Sequence, residues 1–182
     1  MNKFLLCLCI SAFSLSCNND KENEKTAATS SNESATASQP AVDLPYKASF
    51  SSSFSTDVSD ADLKTVLMSY KDWSDGNIDG LKKAMGDSVE VEMSSGDHFH
   101  VSNADLMKRW TTYRDSLSSV KIDMGAWQKM YSTDKKAAFV VTWYDETDTY
   151  KNGKVDSAAY HDINMLKDGK IVVYSQYKRP KK

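Results

Sequence analysis

Cysteine is scarce in this chain of 182 residues. It has three, Cys7, Cys9 and Cys17, and none after position 17. Everything beyond Cys17 is therefore without a disulfide, a CxxC pair, a thiolate metal site or a cysteine nucleophile, and its fold must rest on core packing alone. Histidine is equally rare, at His98, His100 and His161. Net charge is −2, and the one basic run is the terminal Lys178-Arg179-Pro180-Lys181-Lys182. That excludes the basic stripe of a nucleic-acid footprint. No GxSxG elbow and no glycine-rich phosphate loop occur, so serine-hydrolase and nucleotide-binding signatures are both missing. The longest apolar stretch, Phe4 to Phe13, falls well short of the ~20 residues that a spanning helix needs.

That short stretch has a different meaning. Lys3 supplies a positive start, the apolar run follows, and Leu15-Ser16-Cys17 closes it, which is the pattern of a cleaved export signal. The closing residues resemble a bacterial lipobox, with Ser14 where leucine is usual. Residues 1–16 are thus expected to be a lipoprotein signal peptide, with Cys17 lipidated as the mature N-terminus. An ordinary secretory signal cut elsewhere is the alternative. Residues 17–45 are rich in Ser, Thr, Ala, Asn, Glu and Lys, with almost nothing large and apolar before Ala41. Such a segment buries too little surface to offset its ordering entropy. It is read as a disordered tether, reaching about 25 Å as a coil. Its charged start, Asn18 to Lys25, resembles the surface-export signals of Bacteroidetes lipoproteins; a plain soluble linker fits it equally. The expected location is the cell envelope, with the membrane touched through the lipid anchor only.

Order is expected over 46–182. Tyr46, Ala48, Phe50 and Phe54 share one parity and predict a strand. Ser59 or Asp60 caps a helix whose apolar positions are Leu63, Val66, Leu67, Tyr70 and Trp73, stopped by Asp75-Gly76-Asn77. A second helix runs from Ile78 to Met85, with Gly86 as its stop. Val89, Val91 and Met93 alternate with acids, Ser94 to Asp97 turn, and His98 to Val101 pair back. Ser102 and Asp105 resemble a capping box, opening a third helix with Leu106, Trp110, Tyr113 and Leu117 on its apolar face. Long strands follow over Val120–Tyr131, Ala137–Thr149, Lys154–Lys167 and Lys170–Arg179, with Asn152-Gly153 and Asp168-Gly169 as hairpin turns.

Three helices on one side of a bent antiparallel sheet make an α+β fold. Here the residues resemble a known family. Tyr70…Trp73-Ser74-Asp75-Gly76-Asn77-Ile78-Asp79-Gly80-Leu81, the Val89-Glu90-Val91-Glu92-Met93 strand, Ala104-Asp105-Leu106, and Lys167-Asp168-Gly169-Lys170-Ile171…Tyr174…Tyr177 are similar, in order and spacing, to NTF2-like proteins of the SnoaL-like type. The resemblance covers about Tyr46 to Arg179. It implies a cone, in which a curved antiparallel sheet wraps three N-terminal helices and the open end forms a pocket. Polyketide cyclases, a steroid isomerase, hydratases and epoxide hydrolases share that fold, so fold does not choose among chemistries.

Chemistry in such a cone needs a desolvated carboxylate or histidine as general base, with a hydrogen-bond donor opposite. Tyr160-His161-Asp162-Ile163-Asn164 is the most chemically loaded stretch. Asp145, His161 and Asp162 are the candidate bases, with Asp162 and His161 ahead, and Tyr70, Tyr160, Asn164 and Gln176 the candidate donors. Alternation puts Tyr160, Asp162 and Asn164 on one face and His161, Ile163 and Met165 on the other. The family's inward position at Leu166 favours Asp162 inward, whereas Ile163 and Met165 argue the reverse. Phe139, Val141, Trp143 and Asp145 are taken as an inward face, with Asp145 a solvated acid near the rim. Trp73, Trp110, Trp127 and Trp143 would line the cone or fill it. Phe99 inward turns His98 and His100 outward, so neither a metal nor a cofactor is expected.

Three functions follow as expectations. The first is a binding module for a small apolar or aromatic molecule. The second is an isomerase, cyclase or dehydratase using Asp162 or His161. The third is a homodimeric interaction module built on the outer sheet face.

Overall fold

A computed structural model of the chain describes residues 43–181. The expected signal segment, Cys17 and the tether as far as residue 42 lie outside the described residues. Residues 43–53 are almost wholly exposed and form no regular element.

The helices form where the local chemistry asks for them. Helix α1 spans Asp60–Asp75. The Ser59 hydroxyl accepts from the Asp62 amide at 3.0 Å and donates to the Asp62 carboxylate at 2.8 Å, which satisfies one of the helix's free N–H groups. Gly76 ends it in the left-handed conformation, φ 73°, a region open to glycine at little cost. Helix α2 is Ile78–Ala84 and helix α3 is Asn103–Arg114. The Ser102–Asp105 capping pair closes as expected, with bonds of 3.1 and 2.8 Å.

The strands are β1 (Phe54–Ser55), β2 (Met85–Glu92), β3 (His98–Ser102), β4 (Leu117–Ser132), β5 (Ala137–Tyr150), β6 (Val155–Lys167) and β7 (Lys170–Pro180). They form one curved, unclosed sheet in the order β1-β4-β5-β6-β7-β2-β3. The β5–β6 and β6–β7 hairpins turn at the NG and DG pairs, and β4–β5 turns at residues 133–136. The helices pack on one face of it over a core of Val66, Val89, Val91, Leu106, Val140 and Ile171, each fully buried. This is the expected α+β cone.

Three local expectations fail. The strand predicted from Tyr46 to Phe54 shrinks to the two residues of β1. Tyr46 is 87 % exposed, and the serines before β1 bond side chain to side chain with β4 and its turn instead: Ser51 to Asp134 at 2.5 Å and Ser53 to Thr133 at 2.5 Å. Gly86 does not stop α2; it lies buried inside β2, where an added Cβ would meet a Val172 methyl at 3.0 Å. The stop comes from Asn103, whose side-chain amide donates to the carbonyls of Lys82, Met85 and Gly86 at 2.9, 3.2 and 3.0 Å. Finally, Leu117, expected on the apolar face of the third helix, opens β4 instead, because α3 ends at Arg114. Strand β2 joins β7 in parallel, with Val91 opposite Tyr174. That pairing carries β3 and α3 round to the open end of the cone.

Candidate functional site

The floor of the cone is built around one carboxylate. Asp162, on β6, is fully buried. Its Oδ2 accepts three tyrosine hydroxyls: Tyr144 from β5 at 2.8 Å, Tyr70 from α1 at 2.9 Å and Tyr174 from β7 at 3.0 Å. The hydroxyls are held in turn by other groups. Asn164 donates to the Tyr70 oxygen at 3.2 Å, Thr142 shares a bond with it at 2.7 Å, and Gln176 donates to Tyr174 at 2.8 Å. Burial pushes the Asp162 carboxyl up to about 6, with the three hydroxyls opposing that rise. Burial first, then the charge of Asp162, pushes the Tyr70 hydroxyl well above its ordinary range. A carboxylate that receives this many donors keeps its charge at neutral pH despite desolvation. Its other oxygen, Oδ1, is buried and makes no bond among the described residues.

Above this floor lies an open cavity of about 620 Å³. Leu81, Met85, Met93, Phe99, Trp73, Trp110, Tyr113 and Tyr160 provide most of its wall. Its polar side chains are Asn164, Gln176, Arg109, Lys178, Glu146 and Asp97, with three serines. Asp162 itself stays behind the tyrosines and does not reach the cavity surface.

Glu146 escaped the sequence reading because β5 faces the other way. Thr142 and Tyr144 point to Tyr70 and Asp162, so Val140, Thr142, Tyr144, Glu146 and Asp148 are the inward residues of β5. All five are buried. Phe139, Val141, Trp143 and Asp145 face outward, contrary to expectation. Strand pairing explains the reversal. Thr142 stands opposite Asp162, and Trp143 stands opposite His161. An inward Asp162 therefore requires an outward Trp143. With Glu146 turned in, burial first and then the nearby Asp148 and Asp162 carboxylates push its carboxyl up to about 8, against the Trp73 side chain. Asp148, next inward on the strand, accepts from Tyr113 at 3.0 Å and is also raised, chiefly by burial.

The other expected residues divide between the two faces. Tyr70, Trp73, Trp110, Tyr160, Asn164 and Gln176 all line the cavity. Trp127 lies in a separate shallow groove beside α1, with Leu67, Ile122 and Met124, and is 51 % exposed. Trp143 and His161 stack on each other on the outer face, centroids 4.9 Å apart, and Tyr177 lies beside His161 at 5.8 Å. His161 is therefore not within reach of the cavity. Tyr144 and Tyr174, like Glu146, were missed, although the period-two pairing of Tyr174 with Gln176 was legible.

His98 and His100 are exposed and Phe99 is half-buried, as the alternation required. Among the described residues, the one grouping of metal-ligand types is Glu90, Glu92 and His98, whose ligand atoms lie within 4.8 Å of one another. It is solvent-exposed, and the His98 imidazole is already bonded to Glu90 at 2.8 Å.

No protein-family model matches the sequence, and no curated protein sequence matches it either. Solved structures do match the fold. An NTF2-like protein of unknown function from Burkholderia pseudomallei superposes with a TM-score of 0.51 at 12% identity, over 65% of this chain and 91% of that one. The described domain has the NTF2-like fold. An LEH-like epoxide hydrolase of M. tuberculosis gives 0.55 at 12% identity, over 66% of this chain and 84% of its own. TerC, co-crystallised with polyporic acid, gives 0.53 at 16% identity, over 65% and 92%. At these identities the likeness is one of fold, and the chemistry of the NTF2-like cone has to be argued from its own residues.

Proposed function

We propose that this NTF2-like cone binds a small, flat, mainly apolar molecule. The observation that carries the reading is the open aromatic cavity of about 620 Å³ whose lining surface is mainly apolar. Small-molecule sites have this size and composition. The fold neighbour co-crystallised with polyporic acid supports the reading as an analogy. The neutral fluorophore N-phenyl-1-naphthylamine is expected to bind saturably, one per domain. Met93→Trp, which puts an indole into the cavity from a half-buried position, is expected to weaken binding by about tenfold or more. Unsaturable binding, or binding indifferent to Met93→Trp, would rule the cone out as the site.

A second reading, an isomerase, cyclase or dehydratase, is favoured by two of the inward acids, Asp162 and Glu146. Near neutral pH Asp162 is ionised and Glu146 protonated, because their carboxyls are raised to about 6 and about 8. An acid and a base held apart in this way suit proton transfer beside a carbonyl. Tyr70, Tyr144 and Tyr174 would relay the proton to Asp162, and Glu146 would donate to the carbonyl oxygen. Activity then rises as Asp162 ionises and falls as Glu146 does, so it peaks between those two values. With 2-tetralone in deuterium oxide, α-proton exchange above the buffer rate, lost in Glu146→Gln, is the expected result. Exchange at the buffer rate leaves binding alone.

We further propose that the domain is tethered at the envelope through lipidated Cys17, on the strength of the sequence pattern before it. Cys17→Ser is expected to abolish incorporation of labelled palmitate and to free the protein from the membrane fraction. Membrane retention by the variant would contradict the anchor.

A further inference from the structure

The rim of the cavity carries a cation without a partner. Arg109, on α3, lines the cavity and holds its guanidinium over the Phe99 ring, 4.8 Å from the centroid. Among the described residues it makes no ion pair and donates no side-chain hydrogen bond. The other cationic groups near the site are committed. Arg114 donates to the carbonyls of Trp73 and Ser74 at 3.1 and 3.0 Å. Lys178 is paired with Asp156 at 2.9 Å.

Neither exposed acid near Arg109 bonds to its guanidinium. Asp105, one helical turn earlier, is bonded to Lys108 at 3.0 Å and to Ser102 at 2.8 Å. Asp97, on the same rim, takes the Ser95 hydroxyl at 2.8 Å. Glu146, deeper in the wall, is held protonated at neutral pH by burial and by its carboxylate neighbours. Of the two cations in the wall, Lys178 is paired with Asp156 and Arg109 has no ion-pair partner among the described residues; the exposed carboxylate on the rim, Asp97, makes no bond to it.

A guanidinium presents its donors as a planar fork that matches a carboxylate, sulfonate or phosphate. Its contact with the Phe99 ring uses none of those donors. We infer that the ligand is an organic anion, whose flat apolar body fills the aromatic cone and whose acidic group is clamped by Arg109 at the rim. This rests on the cone-binding reading and adds the charge of the ligand to it.

Two probes separate the two ideas. N-phenyl-1-naphthylamine and 1-anilinonaphthalene-8-sulfonate share one ring skeleton and differ by a sulfonate. In the full chain the sulfonate is expected to bind about tenfold more tightly, as a charge-assisted contact allows. Arg109→Gln is expected to remove that preference and leave the neutral probe within about twofold of wild type. Retained affinity for the neutral probe also reports that the variant is folded. Arg109→Lys, which keeps the charge but loses the fork, is expected to fall between. If Arg109→Gln binds the sulfonate as wild type does, or weakens both probes equally, Arg109 is wall and not clamp, and the inference fails while the cone reading stands. If neither probe binds wild type, the cone reading fails and takes this one with it.

Discussion

The hydrogen bonds from Tyr70, Tyr144 and Tyr174 to one oxygen of Asp162 organise the rest of the structure. They join α1, β5 and β7 to β6. A buried carboxylate is costly unless it is fully hydrogen-bonded. An arrangement in which any of these elements turned its other face inward would leave that charge without donors. The cluster therefore sets the facing of the two central strands. That facing brings Glu146 and Asp148 into the wall and sends Trp143 and His161 to the outside.

The cavity stays open for the same reason. Of the four tryptophans, Trp73 and Trp110 line the cone, packed against each other at 6.4 Å. Trp127 and Trp143 lie outside it. Polar floor groups bonded to one another cannot collapse upward into an apolar space, and α3, carried round by the parallel β2–β7 pairing, closes only one side. The result is an apolar chamber with a hydrogen-bonded polar base, a protonated acid in its wall and a free guanidinium at its rim. Binding follows from the first of these features. Proton transfer and anion selection would follow from the other two.

Much of this was legible in the chain. The helix limits follow from Ser59, Gly76 and Ser102, and the hairpins from Asn152-Gly153 and Asp168-Gly169, because these are local preferences of single residues. The facing of β6 was legible through Leu166. The facing of β5 was not, since Phe139, Val141 and Trp143 on one parity look as inward as Val140, Thr142 and Tyr144 on the other. Only the register of β5 against β6 separates them, and register is a long-range fact. Reading Asp162 and Trp143 as both inward was therefore inconsistent across one pair of strands. Glu146 was lost with that error. The Asn103 cap on α2 and the parallel place of β2 also join parts of the chain that local patterns do not connect.

The most direct test of the tyrosine–carboxylate cluster is a carbon-13 NMR titration of the Asp162 side-chain carboxyl, in wild type and in Tyr144→Phe. The wild-type resonance should titrate near pH 6, because burial raises it and the hydroxyls hold it from going higher. Removing the Tyr144 hydroxyl should move the midpoint upward. A wild-type midpoint near the ordinary aspartate value of about 3.9, or one that Tyr144→Phe leaves in place, would mean that Asp162 is not the buried centre on which the cone depends.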